Sequence, residues 1–132
     1  MSRDAVEILR DARTIAVVGA SADPGRPSHG VMRYLLAEGY RCIPVNPQCD
    51  EVLGVAAVSS IGEIDEPIDL VDVFRRPEFC ADHAREAVEA GAGALWLQLG
   101  IASAEARRIA VQAGLDYVEN ACTKVVHSRH LR

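Results

Sequence analysis

Few residues in this chain combine a reactive side chain with a spacing that suggests chemistry, and the densest group follows the apolar run "TIAVV" at 14–18. There Gly19-Ala20-Ser21 leads through Arg26 to Ser28 at the start of a helix-like stretch. Glycine lets a ligand approach the backbone closely, and the amides of Ala20 and Ser21 can point at an anion. Ser28 is expected to cap the next helix, leaving the N–H groups of His29 and Gly30 free, with Arg26 supplying a formal cation. This reads as a pyrophosphate cradle. It matches neither the Walker pattern nor Gly-x-Gly-x-x-Gly, which argues against ATP hydrolysis of the Walker kind and weakens a standard dinucleotide site.

Other chemistry-bearing residues are dispersed. Cysteines at 42, 49, 80 and 122 form no CxxC pair or disulfide framework. Cys80 and His83 have a CxxH spacing without a second pair, so no zinc site is expected. Cys122, with Lys124 nearby, is read as a small buried hydrophobe ahead of a reactive thiol. His127 and His130 are placed in a solvated polar tail, and Glu63, Asp65, Glu66 and Asp69 on the surface around a turn. Arg75 and Arg76 fit either a phosphate contact or a solvated pair opening a helix. No catalytic nucleophile or acid–base pair is legible. An NAD site calls for an acid at the tip of the second strand, but that tip reads Val45-Asn46-Pro47 and the first acid is Asp50. Pro47 offers a flat apolar face for a base, and Asn46 offers an amide.

These residues must be held by a scaffold, and the hydrophobic pattern describes one. Continuous apolar runs at 15–18, 42–45, 70–74, 94–99 and 117–118 suit strands covered on both faces. Helical segments alternate with them: a short one within the first dozen residues, one from Ser28 to Gly39, one from Pro77 to Gly91 and one from Ser103 to Gly114. A short strand or turn at 52–55 and a helical stub at 60–64 interrupt the rhythm. The expected fold is α/β, Rossmann-like and doubly wound, with a mostly parallel sheet of about five strands and helices on both faces, in one domain over 1–132.

The 132 residues are 49% hydrophobic and 25% charged, with a formal charge of −5, which disfavours nucleic acid as a partner. Neither an apolar leader nor a run near the length of a membrane span is present, and the cysteine usage fits a reducing cytoplasm.

The blocks "AVVGAS", "GYRCIPVNP", "DLVDVFRRPE", "ALWLQLGI" and "ENACTK" resemble, in order and spacing, the small stand-alone CoA-binding proteins. That family is similar to the N-terminal CoA-binding domain of the succinyl-CoA synthetase α-subunit. The resemblance runs from about Ala5 to Lys124 and implies coenzyme A as an extended ligand. It implies Gly19, Ala20 and Ser21 at the pyrophosphate with Arg26 and Ser28, and Val45, Asn46 and Pro47 beside the adenosine. Phe74 and Arg75 would line the same crevice, Trp96, Gln98 and Gly100 would border the pantetheine path, and Asn120 would stand near its far end. The family often carries a basic residue just after "VNP", where this chain has Gln48-Cys49-Asp50-Glu51; Arg75, Arg76 or Arg26 would have to meet the 3′-phosphate. The synthetase keeps its phosphorylated histidine and nucleotide machinery outside this domain, so a complete ligase is not expected. The leading expectation is a CoA or acyl-CoA binding module without catalysis of its own. The alternatives are an NAD(P)-dependent oxidoreductase, or an accessory subunit of an acyl-CoA synthetase or transferase with a ligase-type partner.

Overall fold

The computed structural model describes residues 2–132. Five parallel strands form the sheet: β1 (Thr14–Val18), β2 (Arg41–Val45), β5 (Leu70–Val73), β6 (Ala94–Leu97) and β7 (Asp116–Val118). Their spatial order is β2-β1-β5-β6-β7. A hairpin of β3 (Glu51–Val52) and β4 (Val55–Ala56), then one 3-10 turn at Ile61–Glu63, occupies the long connection between β2 and β5. This is the interruption expected at 52–64. The chain leaves β1 toward one edge and returns to pair on its other side with β5. That reversal is the switch point at which open α/β sheets bind ligands.

Side-chain alternation explains why the apolar runs are continuous. Ala16, Val18, Val71, Val73, Leu95 and Leu97 point to one face, where α3 (Pro77–Glu89) and α4 (Ala104–Gln112) cover them with a layer of alanines: Ala84, Ala87, Ala106 and Ala110. Ile15, Val17, Leu70, Ala94 and Trp96 point to the other face, beneath α1 (Ala5–Asp11), α2 (Pro27–Ala37) and α5 (Thr123–His130). Each strand thus buries both sides, as parallel strands require.

The edge strand β2 is finished by its own sequence. Pro44 sits within it, and the Pro44 carbonyl faces away from β1 to accept the Val58 amide at 3.0 Å, while Asn46 N–H donates to the Val58 carbonyl at 2.9 Å. N–H and C=O of one strand residue share a side, so the donor that proline lacks would have pointed outward and no β1–β2 bond is lost.

The acids around 63–69 have structural partners. Asp69 accepts the Arg13 and Thr14 amides, both at 2.9 Å, at the start of β1, and Glu66 accepts from the Arg41 guanidinium at 2.8 Å. The C-terminal segment is not a solvated tail. It forms α5, and His127 is buried with Nδ1 2.9 Å from the Tyr34 hydroxyl and its ring edge-on to Tyr34 and Tyr40. His130 is exposed, as expected.

Candidate functional site: a cationic cleft at the switch point

The loop after β1 is shaped by close packing. Gly19 has φ +83°, and a Cβ there would lie 2.7 Å from the Phe74 carbonyl oxygen, so only glycine fits between the tips of β1 and β5. Its amide donates to the Val45 carbonyl at 2.9 Å, lacing β1 to β2. Ala20 is buried, and its carbonyl accepts Asn46 Nδ2 at 2.8 Å. Asn46 Oδ1 takes the Gln48 amide at 2.8 Å, so the Asn46 side chain serves the loops and is not a free reader of a base.

Several expectations about the cradle change here, the first being that of a free His29 N–H, which instead donates to the Arg26 carbonyl at 3.1 Å. Helix α2 begins at Pro27, whose fixed φ and missing N–H suit the first helical position, so Arg26 holds the cap position and Ser28 lies inside the helix. Ser28 Oγ then accepts the Ser21 amide at 3.1 Å, which removes that amide from anion binding. The rest of the loop holds itself, with Asp23 N–H donating to Ser21 Oγ and Gly25 N–H to Asp23 Oδ1. No acceptor among the described residues takes the Ser28 amide, whereas Ala20 is fully buried and offers no amide to the cleft. The Ser28 amide and the positive end of an 11-residue helix remain for an anion.

Across the crevice, Phe74 N–H donates to the Val18 carbonyl at 2.8 Å and carries the chain into Arg75 and Arg76. The Arg75 guanidinium stacks 4.5 Å from the centre of the Phe79 ring, with Arg76 at 5.3 Å from the same ring. The Cys80 thiol donates to the Arg75 and Arg76 carbonyls, which holds this turn and uses Cys80 structurally. Arg76 also pairs with Glu78 at 3.1 Å, whereas Arg26 and Arg75 form no ion pair among the described residues.

Between these walls lies a cleft of about 880 Å³. Its lining includes Arg26, Arg75 and Arg76 and contains no aspartate or glutamate, in a chain whose net charge is −5. Ten anticipated residues meet in it: Gly19, Ser21, Arg26, Ser28, Val45, Asn46, Pro47, Phe74, Arg75 and Gln98. Four do not. Ala20 faces the core, and Trp96 is fully buried with its indole N–H donated to the Ala121 carbonyl at 2.8 Å, so its place is beneath the cleft and not along it. Gly100 and Asn120 are exposed on neighbouring loops and bind one another, the Gly100 amide to Asn120 Oδ1 at 2.8 Å. Asn120 adopts φ +53°, a conformation its short amide tolerates.

The cleft also takes in residues that sequence reasoning did not commit to it, among them Val31, Gln48, Leu99, Ile101 and Cys122. Cys122, at the start of α5, is half-buried and packs against the core on the α2–α5 face. The most consequential omission is Asp72, an acid inside the apolar run "LVDVF". It is fully buried, with Gln98 Nε2 donating to Oδ1 at 2.6 Å and Thr123 Oγ1 to Oδ2 at 3.1 Å. Burial pushes its carboxyl up to about 7, although both hydrogen bonds favour the charged form. No group of three or more His, Cys, Asp or Glu side chains is placed to hold a metal among the described residues, and His83 of the CxxH pair contacts Glu86 at 2.7 Å instead. No helix among them is long and apolar enough to cross a membrane.

Comparison with known proteins agrees with this architecture. "Uncharacterized protein YneT" of Bacillus subtilis is 46% identical over 122 residues, 92% of this chain and 90% of that protein. The α-subunit of an ADP-forming acetate–CoA ligase II from Pyrococcus furiosus is 36% identical over 80 residues, which span 60% of this chain but only 18% of the subunit. A solved structure described as a hypothetical protein from Pyrococcus horikoshii superposes with a TM-score of 0.95 at 40% identity, covering 98% of this chain and 91% of that one. The family described as "CoA binding domain" matches residues 13–128, nearly the whole length, and the chain belongs to it.

Proposed function

We propose that the protein binds coenzyme A or an acyl-CoA in the switch-point cleft as a binding module, without carrying out a reaction of its own. The observation that carries this reading is the charge of the lining: three guanidiniums and no carboxylate, in an otherwise acidic chain. In this reading the diphosphate sits against Arg26, Arg75 and the open end of α2, where guanidinium forks and free amides match phosphate oxygens. The adenosine lies along Val45 and Pro47, with Asn46 buttressing the loop from behind. Gln48 and Arg76 stand at the outer rim, where Arg76 takes the place of the basic residue missing after Pro47. The arm of the ligand passes Phe74 and Gln98 toward Cys122. The absence of an acid from the lining runs against NAD, whose ribose diol calls for one. A cytoplasmic setting, with all four cysteines as free thiols, accompanies the proposal, as does a ligase-type partner supplying the chemistry this domain lacks.

Calorimetric titration with CoA, acetyl-CoA, NAD and NADP tests it, with melting temperature as a second readout, because a ligand of the folded state raises it. CoA or its thioester should bind and stabilise. Stabilisation by NAD alone would refute the assignment.

A further inference from the structure

The three buried polar groups under the cleft form a closed hydrogen-bond ring in which every donor proton has a place. Gln98 Nε2 gives one proton to Asp72 Oδ1 at 2.6 Å and the other to Thr123 Oγ1 at 2.9 Å. Thr123 gives its single hydroxyl proton to Asp72 Oδ2 at 3.1 Å. Gln98 is 4% exposed, Asp72 and Thr123 not at all. In its ionised form the carboxylate only accepts, so there the amide of Gln98 must turn its nitrogen inward. The remaining polar atom of the ring, Gln98 Oε1, takes no donor from the protein, and Gln98 lines the cleft. It is not sealed off either: His83 Nε2 is the one inaccessible side-chain polar atom without a partner among the described residues.

From this geometry we infer that Asp72, through Thr123 and Gln98, is a positioning residue that fixes a carbonyl oxygen at the cleft surface to accept a neutral N–H or O–H from the ligand. The cleft is therefore two-ended. Guanidiniums at one end select anionic oxygen, and an oriented acceptor at the other repels anions and selects a donor. Resting on the CoA reading above, the group that meets Gln98 is a secondary amide N–H of the pantetheine arm. A ligand carrying only a nucleoside diphosphate would leave this acceptor unused. Without the carboxylate, an amide at position 72 can donate to Gln98 Oε1 and draw that oxygen inward, so that the turned Gln98 presents N–H donors where an acceptor is required.

The test compares CoA with 3′-phospho-ADP, which is CoA without its arm, at pH 8, where Asp72 is ionised, on wild-type, Asp72→Asn and Gln98→Met proteins. Asp72→Asn should weaken CoA about three- to tenfold, the worth of one mispaired hydrogen bond, and leave 3′-phospho-ADP within twofold. In the Gln98→Met background, Asp72→Asn should weaken CoA no further, since its effect runs through Gln98. Equal losses for both ligands, no loss of CoA affinity, or additive losses in the double variant would each overturn the proposal. If Asp72→Asn does not fold, Thr123→Val, which removes one member of the ring, is read by the same comparison. Should the wild-type protein hold neither ligand, the CoA reading itself fails, an outcome distinct from those.

Discussion

Replacing Asp72 by Asn should abolish a pH dependence of stability that the wild-type chain carries, and the sign follows from the burial of the carboxyl. Its value in the folded chain is about 7 against an ordinary 3.8. Between those pH values the folded chain holds a proton that the unfolded chain has released, so stability falls as pH rises through the window and levels off above about 7. At about 1.4 kcal/mol per pH unit the whole effect is roughly 4 kcal/mol, with about 2–3 kcal/mol falling between pH 5 and 8. Cys42, the neighbouring group whose thiol feels this carboxylate, is pushed up to about 12 by burial and stays neutral throughout. Urea unfolding of wild-type and Asp72→Asn proteins at pH 5, 6, 7 and 8 isolates the group, because every other titration cancels in the difference. The variant should gain about 2–3 kcal/mol on the wild type from pH 5 to 8. A pH-independent difference, or a wild type that gains as pH rises, would show that the two hydrogen bonds outweigh desolvation and would refute the argument. In its ionised form, then, Asp72 lowers stability while it orients Gln98.

Three further outcomes follow from the packing and charge of the cleft. Gly19→Ala forces an alanine to φ +83° with its Cβ 2.7 Å from the Phe74 oxygen; it should cost about 2–4 kcal/mol, read as a fall of roughly 10 °C in Tm, and a Tm within a few degrees of wild type would contradict the close approach. Trp96→Phe should lose about 2–3 kcal/mol through a void and an unpaired Ala121 carbonyl while leaving CoA affinity of the folded protein unchanged. A large loss of affinity there would return the indole to the binding surface. Arg26→Glu, on an exposed residue without an ion pair among the described residues, should weaken CoA by roughly tenfold or more with little change in the apo Tm; unchanged affinity removes Arg26 from the site.

Much of the scaffold was readable because its signals are local. Parallel strands buried on both faces write continuous runs of Val, Ile and Leu, and each crossover helix ends in Gly39, Gly91 or Gly114, the last two starting cleanly at Pro77 and Ser103. The cap of α2 was misread for an equally local reason: "RPS" offers both a capping serine and a proline that fits the first helical turn, and the proline decides. His127 was lost because the feature that buries it is distant in sequence, a pair of tyrosines 93 and 87 residues upstream, on and just after the neighbouring α2. The ring under the cleft joins positions 72, 98 and 123, separated by 25 to 51 residues. Its only trace in the sequence is an acid where an aliphatic residue belongs and a glutamine closing an apolar strand. Trp96 shows the converse: its place within a run of buried residues already favoured the interior, and the family resemblance drew it toward the ligand.

Pro44, with the segment that hangs Val58 from its outer side, does more than finish β2. Open sheets invite another chain to extend the ladder, and one flank of this one is denied to such an intruder by an imide nitrogen and an already occupied carbonyl. Growth by strand addition would have to start at β7, three residues wide, too short a foothold for fibre-like stacking. Crowded solutions of this protein should therefore stay free of edge-to-edge polymers.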